Sequence, residues 1–232
     1  GDPSTRDPML IRFSNQEDIN TWAPTATNTA GTFRIDQGNE IISAVQGKDY
    51  VLVLTDQAAY VMQFVGPPYT FSLRQVGSNC GCLGQHAMVY AQGAVFWMGF
   101  GGGFFMFDGT VKSLPCSVED YVYDDCATTK GQQICAGINN LFTEVTWWYP
   151  TQGSTFNNRA VAYNYTNEGQ QIVTGIWYTT TNENSIRTSW SDALIYPKPY
   201  ATKYNSSGTG TFPTVIGEDG LGQSVLFEHE TG

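Results

Sequence analysis

The chain has 232 residues, of which 14% are aromatic and 14% are charged, and its formal net charge is −10 at pH 7. An ordinary soluble domain carries roughly a quarter charged residues, so a surface this poor in charge indicates that partners cover much of it. The acidic balance argues against a nucleic-acid-binding surface, because neutralising phosphates requires clustered Lys and Arg.

The length allows a sizeable buried core, and all-β domains of this size often remain single. No run of 18 apolar residues occurs, and the first ten residues lack the shape of a signal peptide. There is no initiator Met, and the sequence stops where a strand would turn towards its partner. We therefore expect the chain to be part of a longer protein.

The first predicted unit is an entry segment, residues 1–36, containing a short helix or loop. Its best helical stretch is 14–22, where Ser14 can form a capping box with Glu17 three residues later. Before and after this stretch, the segment has the composition of a loop.

Strand-like runs, rich in Val, Ile, Tyr, Phe, Trp and Thr, then recur along residues 37–232. The best examples are 41–46, 50–55, 58–65, 94–99, 104–107, 143–149, 160–165 and 175–180. Short turns join them, and Asp108-Gly109 is a strong turn dipeptide. One further helix is predicted at 117–125, capped by Ser117.

A weak internal repeat relates these strands. Trp97 is followed by Phe105, Trp148 by Tyr163, and Phe227 begins what looks like another copy. Radial repetition of such antiparallel units gives a β-propeller, whereas a β-sandwich would give many of the same local signals. Because no long crossover connection is evident, we predict an all-β fold. It is a β-propeller-like array of antiparallel blades with about four blade-like units, the last one cut short.

The glycine run at 99–103 raises the question of a phosphate-binding loop. A dinucleotide fingerprint that starts at Gly99 needs a third glycine where Phe104 stands. A P-loop needs Gly-Lys-Ser/Thr, but the next lysine is Lys112. The aromatic residues that follow run directly into a turn instead of a helix. The run therefore predicts a β-hairpin bend.

The cysteines and histidines do not form a zinc pattern. The Cys80-x-Cys82 spacing is too short, and no second pair matches it. The odd number of cysteines favours reduced, buried thiols over a disulfide framework. The full set is Cys80, Cys82, Cys116, Cys126 and Cys135, with His86 and His229.

Acidic residues cluster at Glu119, Asp120, Asp124 and Asp125. Paired carboxylates can perform glycosidase chemistry, but they must face each other across a sugar, usually from different elements. A solvated helix end is the favoured interpretation.

The aromatic stretch 146–150 and the pair Arg187 and Trp190 favour packing over ligand binding. Neither histidine has a plausible Ser or Cys partner in the sequence, no Gly-x-Ser-x-Gly elbow occurs, and Asp219-Gly220 lacks the other ligands of a calcium loop. We therefore predict no catalytic, cofactor-binding or metal-binding residue, no cofactor, and no enzyme activity.

Seven segments together resemble the tail hub or nozzle proteins of short-tailed bacteriophages, which are often labelled packaged-DNA-stabilisation or tail accessory proteins. The resemblance runs in the same order over nearly the whole chain. The segments are 13–31, 54–68, 95–99, 107–125, 144–150, 160–165 and 187–190. Three features depart from the family pattern: the long glycine run, an extended loop at 166–175, and the cysteines Cys80 and Cys82.

The resemblance implies a β-propeller-based structural subunit of the virion tail, assembled in the bacterial host cytoplasm and without a membrane anchor. Its expected partners are other copies in a ring, typically a hexamer, together with portal, adaptor and other tail proteins. Such a ring retains the packaged DNA and later forms the ejection channel, through which DNA passes without sequence-specific binding. We expect acidic loops, including Asp124 and Asp125, to face the lumen.

The alternative is a virion carbohydrate-binding or depolymerising receptor-recognition protein, in which Trp-rich strands form a glycan surface. It predicts a concave, exposed aromatic cleft with facing carboxylates.

Overall fold

The computed structural model describes residues 6–168, 171–180, 187–192, 199–204 and 224–228. Over these ranges the chain forms antiparallel β-sheets with little helix. The all-β, propeller-like prediction is confirmed.

The entry segment forms a two-stranded hairpin, β1 (Leu10–Phe13) with β2 (Gly31–Arg34). The helix predicted at 14–22 is wrong, because this stretch folds as turns. The Asp18 carboxylate accepts hydrogen bonds from the Asn20 N–H at 2.9 Å and from the Thr21 hydroxyl at 2.6 Å. Such local side-chain bonds compete with helix formation.

Four larger sheets follow, and within each the strands pair in chain order. Sheet 1 contains β3 (Ile41–Gln46), β4 (Val51–Thr55), β5 (Ala58–Gly66) and β6 (Thr70–Ser78). Sheet 2 contains β7 (Met88–Ala91), β8 (Ala94–Met98), β9 (Phe104–Phe107) and β10 (Val111–Leu114). Sheet 3 contains β11 (Cys135–Asn139), β12 (Glu144–Tyr149), β13 (Arg159–Glu168) and β14 (Gln171–Thr180). Sheet 4 contains β15 (Ser189–Ser191), β16 (Tyr200–Tyr204) and β17 (Ser224–Glu228).

The predicted strand runs coincide with these elements, and the weak repeat has a structural meaning. The extended loop expected at 166–175 is wrong, because residues 166–168 and 171–175 belong to the paired strands β13 and β14. Phe227 lies in the last strand of sheet 4 and does not begin a new unit. The first strands of successive sheets contact one another, β3 with β7, β7 with β11 and β11 with β15. The first strand of each sheet is therefore its inner strand, as in the blades of a propeller.

Helix α1 (Glu119–Asp125) lies between sheets 2 and 3, where the sequence predicts it, and its Val122 side chain is buried. A short 3₁₀ helix (Thr128–Gln133) then leads into β11. The predicted cap is wrong: Val118 occupies the N-cap position, and no side chain caps the helix. The apolar contact of Val122 holds this short helix in place.

The main core runs through sheets 1, 2 and 3. All five residues of β8 are buried. The Phe104 ring packs against two indoles, with centroids 5.0 Å from Trp147 and 4.6 Å from Trp177. Aromatic contacts of this kind dominate the stability of a core.

Indole N–H groups tie each sheet to the one before it. Trp97 donates to the Cys80 carbonyl at 2.8 Å, in the connection that arrives from sheet 1. Trp147 of sheet 3 donates to the Ala87 carbonyl at 3.0 Å, directly before sheet 2. In sheet 4, Trp190 donates to the carbonyl of Ile138 in β11. A buried indole requires such a partner, so these bonds fix the spacing between blades.

The glycine run forms the β-hairpin bend predicted from the sequence. The Gly99 N–H donates to the Gly103 carbonyl at 2.8 Å and closes the turn between β8 and β9. Gly102 and Gly103 have φ values of +107° and +81°, which side chains rarely tolerate.

Candidate functional site: the central cavity

A cavity of about 490 Å³ lies among the inner strands, lined by residues from all four large sheets. The starts of β7, β11 and β15 face it, so it lies at one end of the inner strands. Among the described residues that line the cavity there is no Asp, Glu, Lys or Arg. The lining residues are Ser43, Ala44, Gln85, His86, Met88, Cys135, Ala136, Thr188, Ser189 and Trp190.

Hydrogen bonds to its backbone carbonyls hold the loop that carries Gln85 and His86 against the neighbouring sheets. The Ser43 hydroxyl of sheet 1 donates to the Gln85 carbonyl at 2.8 Å. The Ala136 N–H of sheet 3 donates to the His86 carbonyl at 2.8 Å. With both carbonyls engaged, the two side chains are presented from a fixed backbone.

The cavity offers polar side chains beside a thiol. Gln85 and His86 are exposed. Burial raises the pKa of the Cys135 thiol to about 11, so this side chain stays protonated at neutral pH. The structure therefore brings His86 and Cys135 to one cavity without generating a thiolate nucleophile.

A second cavity of about 280 Å³ shares His86 and Thr188 with the first. Asn157 lines it, and its amide nitrogen donates to the carbonyls of Gln133 and Arg187, each at 2.8 Å. Its amide oxygen is buried and has no partner among the described residues. Asn157 thereby joins the connections that lead into sheets 3 and 4.

The acidic residues of α1 lie in different environments. The Asp125 carboxylate accepts from the Arg159 guanidinium at 3.2 Å, which neutralises it. Asp120 and Asp124 are exposed. The cluster lies outside the central cavity and provides no facing pair of carboxylates there.

The aromatic stretch 146–150 is core, as the sequence predicts, because Trp147, Trp148 and Tyr149 are all buried. Trp190 stacks on Trp148 with centroids 5.0 Å apart. Trp148 is buried, whereas Trp190 is partly buried and lines the central cavity.

The cysteines are free thiols, and all except the half-buried Cys116 are buried, as predicted. Burial raises the pKa of Cys82 to about 12. Across the ranges that the structure describes, no group of three or more His, Cys, Asp or Glu side chains could hold a metal ion. Asp219-Gly220 and His229 lie outside those ranges.

Sequence reasoning missed the cavity because its lining is assembled from single residues on four sheets. No local spacing marks Gln85 or His86. The signal present in the sequence was the repeat itself, since the inner strands of a radial array surround an axis.

Two exposed apolar surfaces lie on nonadjacent sheets. The sheet-1 surface consists of Phe64, Val65 and Tyr69 at the end of the β5–β6 hairpin. Tyr69 is 77% exposed and Phe64 is 62% exposed.

The sheet-3 surface consists of Leu141 and Phe142, in the turn between β11 and β12, and Tyr178 of β14. Leu141 is 71% exposed. Among the described helices, none has both the length and the apolar character needed to cross a membrane.

No protein-family model matches the sequence, and no curated protein matches it. Among solved structures, the chain is similar to one in an S. cerevisiae structure of a Dbp5 variant bound to Nup159, a Gle1 variant, IP6 and ADP. The identity is 11% and the TM-score 0.40, over 87% of this chain and 47% of that one. This chain thus spans about half the length of that match, and a likeness at this level assigns neither family nor function.

Proposed function

We propose that the chain is a structural protein of a short-tailed phage virion, a subunit of the tail nozzle or hub ring. In this role it assembles with copies of itself, six being the favoured number, and with portal, adaptor and other tail proteins. The ring retains the packaged DNA and forms the ejection channel. The choice of assembly, a phage tail ring, rests on the family resemblance along the sequence.

The observation that carries the proposal is the pair of exposed apolar surfaces. Large apolar patches on a soluble chain mark sites of protein–protein contact. The sheet-1 surface and the sheet-3 surface each expose several large side chains. An assembling subunit accounts for both surfaces.

Charge supports the DNA-conducting part of the proposal. The net charge is −10, and each Lys or Arg facing the lumen would add a counterion-release term that holds DNA. Asp120 and Asp124 of α1 are exposed, and we expect them to face the lumen. A subunit of this kind lets a polyanion slide without gripping it.

Negative-stain imaging and a DNA-binding titration test this function together. We expect rings of about six subunits with an open centre and no retention of duplex DNA at 50 mM salt. A control with Asp120 and Asp124 both replaced by Lys should introduce salt-sensitive DNA binding without changing the ring. Particles without a central opening, or tight DNA binding by the unaltered chain, would refute the proposal.

A second candidate, the binding of a neutral sugar by a virion receptor-recognition protein, is favoured by the central cavity. Its volume lies within the usual range of small-molecule sites, roughly 300–1,000 Å³, and its described lining mixes polar and apolar residues without Asp, Glu, Lys or Arg. The lining supplies no facing carboxylates, so binding is favoured over depolymerisation.

Titration with monosaccharides and oligosaccharides, followed by NMR chemical shifts, tests the second candidate. Saturable shifts that are lost in Gln85→Ala and His86→Ala would support it. The absence of chemical-shift changes up to millimolar sugar would rule out this second candidate.

A further inference from the structure

A groove of about 270 Å³ lies between the end of the β5–β6 hairpin and residues 14–17 of the entry segment. Phe13, Phe64 and Phe71 form its apolar wall, and Glu17 is the one charged residue among the described residues that line it. We propose that this groove binds a quaternary ammonium group, a cation that carries alkyl groups and no N–H, on a small soluble compound. The inference does not rest on the proposed tail ring.

The three rings of the wall present aromatic faces in more than one direction. The Phe71 ring centroid lies 5.0 Å from that of Phe13 and 5.8 Å from that of Phe64, and the ring planes are inclined at 73° and 76°. Phe64 is 62% exposed, and the other two side chains are only partly buried. The face of an aromatic ring attracts a cation, and cages of such rings recognise quaternary ammonium ligands. The wall therefore suits a cation better than a neutral apolar group.

Backbone packing holds one ring of the wall in place before a ligand binds. Phe13 of β1 pairs with Gly31 of β2, and a Cβ at Gly31 would overlap the Phe13 ring. The ring therefore lies directly against the Gly31 backbone. A binding site whose side chains are already ordered loses less conformational entropy when its ligand arrives.

Three polar side chains of the lining already bond within the groove wall. The Asn15 amide oxygen accepts from the Thr29 N–H at 3.0 Å and from the Thr29 hydroxyl at 2.9 Å. The Thr70 hydroxyl donates to the Thr29 carbonyl at 3.5 Å, and the Gln16 N–H donates to the Thr29 hydroxyl at 2.7 Å. A primary ammonium would bring N–H donors that need acceptors of their own. A cation without N–H makes no such demand on this lining.

Glu17 supplies the complementary charge. Its side chain is exposed and has no ion-pair partner among the described residues. It lies in a turn that the Asp18 N–H closes on the Asn15 carbonyl at 3.2 Å, and its φ is +58°. Thr70, which also lines the groove, has a φ of +57°. Strained backbone of this kind is retained at ligand-binding sites, and the described lining holds no Lys or Arg that would repel a cation.

A titration of the full chain with three related compounds, followed by proton NMR, tests the proposal. The first is choline. The second, 3,3-dimethylbutan-1-ol, has the shape of choline without its charge, and the third, ethanolamine, has the charge without the methyl groups. We expect choline to bind roughly tenfold more tightly than either analogue. Its N-methyl resonance should move upfield on binding, because the methyl groups lie over aromatic faces.

Single substitutions locate the site. Phe64→Leu keeps an apolar side chain but removes an aromatic face, and it should weaken choline binding about fivefold. Glu17→Gln should weaken it by a smaller factor, about threefold, because the carboxylate is exposed. The matched control is Phe100→Leu, which changes a phenylalanine that is 55% exposed and lies outside the groove. This control should leave the affinity for choline unchanged, and circular dichroism checks that all variants are folded.

Three results would overturn the proposal. Equal affinity for choline and 3,3-dimethylbutan-1-ol would show that apolar contact alone accounts for binding. Choline binding that Phe64→Leu and Glu17→Gln leave unchanged would show that the ligand lies elsewhere. The absence of any saturable shift would show that the groove does not take this cation. None of these results would affect the proposed ring, which is tested by imaging.

Co-sedimentation with phosphatidylcholine vesicles separates a soluble compound from a lipid head group as the source of the cation. The described lining has no Lys or Arg to hold a phosphate, so we expect the chain to remain in the supernatant. Retention on the vesicles that free choline reverses would contradict the soluble source and assign the ammonium group to a lipid.

Discussion

Sheets 1 and 2 share a topology and similar strand sequences, yet they differ in what covers them. In sheet 2, β8 is buried along its whole length, because sheets 1 and 3 lie on either side. In sheet 1, β5 is buried at its start and exposed from Gln63 to Val65. Burial is thus set by neighbouring elements, and at the end of sheet 1 the contact with the entry hairpin leaves Gln63 to Val65 exposed. The same kind of side chain stabilises the fold in one sheet and is available for assembly in the other.

The largest expected difference is between aromatic residues in these two environments. Trp147→Ala should lower the free energy of unfolding by about 4 kcal/mol, because it leaves a cavity among packed rings and removes the bond to Ala87. Phe64→Ala should change it by less than about 0.5 kcal/mol. Urea unfolding measures both free energies. Equal losses would show that Phe64 is as firmly packed as Trp147.

Two glycines, one at the junction between sheets 1 and 2 and one in an exposed hairpin, give a second contrast between packed and open positions. A Cβ on Gly81 would lie 1.9 Å from the Asp56 carbonyl oxygen, so Gly81→Ala should destabilise the fold by about 2 kcal/mol or more. A Cβ on Gly101, in the exposed hairpin, would meet nothing within 4 Å. Thermal melts should therefore place Gly101→Ala close to the unaltered chain, and a similarly large loss there would contradict the packing described.

Alkaline pH should weaken the junction through Cys82. Burial raises the pKa of this thiol from its ordinary 9.0 to about 12, so its contribution to stability is complete below pH 9 and is lost as the pH rises towards 12. Between pH 9 and pH 10 the loss from one such group is at most about 1.4 kcal/mol. Cys82→Ala should make the fall in stability above pH 9 shallower in urea titrations. An unchanged slope would show that this thiol is accessible.

The smallest effect belongs to the half-buried ion pair of Arg159 and Asp125, at 3.2 Å. Asp125→Asn should cost about 0.5 kcal/mol, and salt should reduce the difference. Asp124→Asn, at the exposed neighbour, is the matched control and should be neutral. A loss above 2 kcal/mol for Asp125→Asn would mean that α1 depends on charge more than on the burial of Val122.

Much of the fold could be predicted from the sequence, because strand periodicity and turn chemistry act over a few residues. The run 104–107 and the bend at Gly99 follow from such local signals. The helix at 14–22 could not be excluded, since the Asp18 hydrogen bonds that replace it depend on the turn itself. The central cavity and the sheet-1 surface depend on which sheets become neighbours, and periodicity does not encode that.

The most direct test of the central claim, that this chain is an assembling subunit, is its mass in solution across a hundredfold range of concentration. We expect a species of fixed mass, a whole multiple of 25.5 kDa and near six copies, that persists on dilution. A mass of 25.5 kDa at every concentration would contradict it.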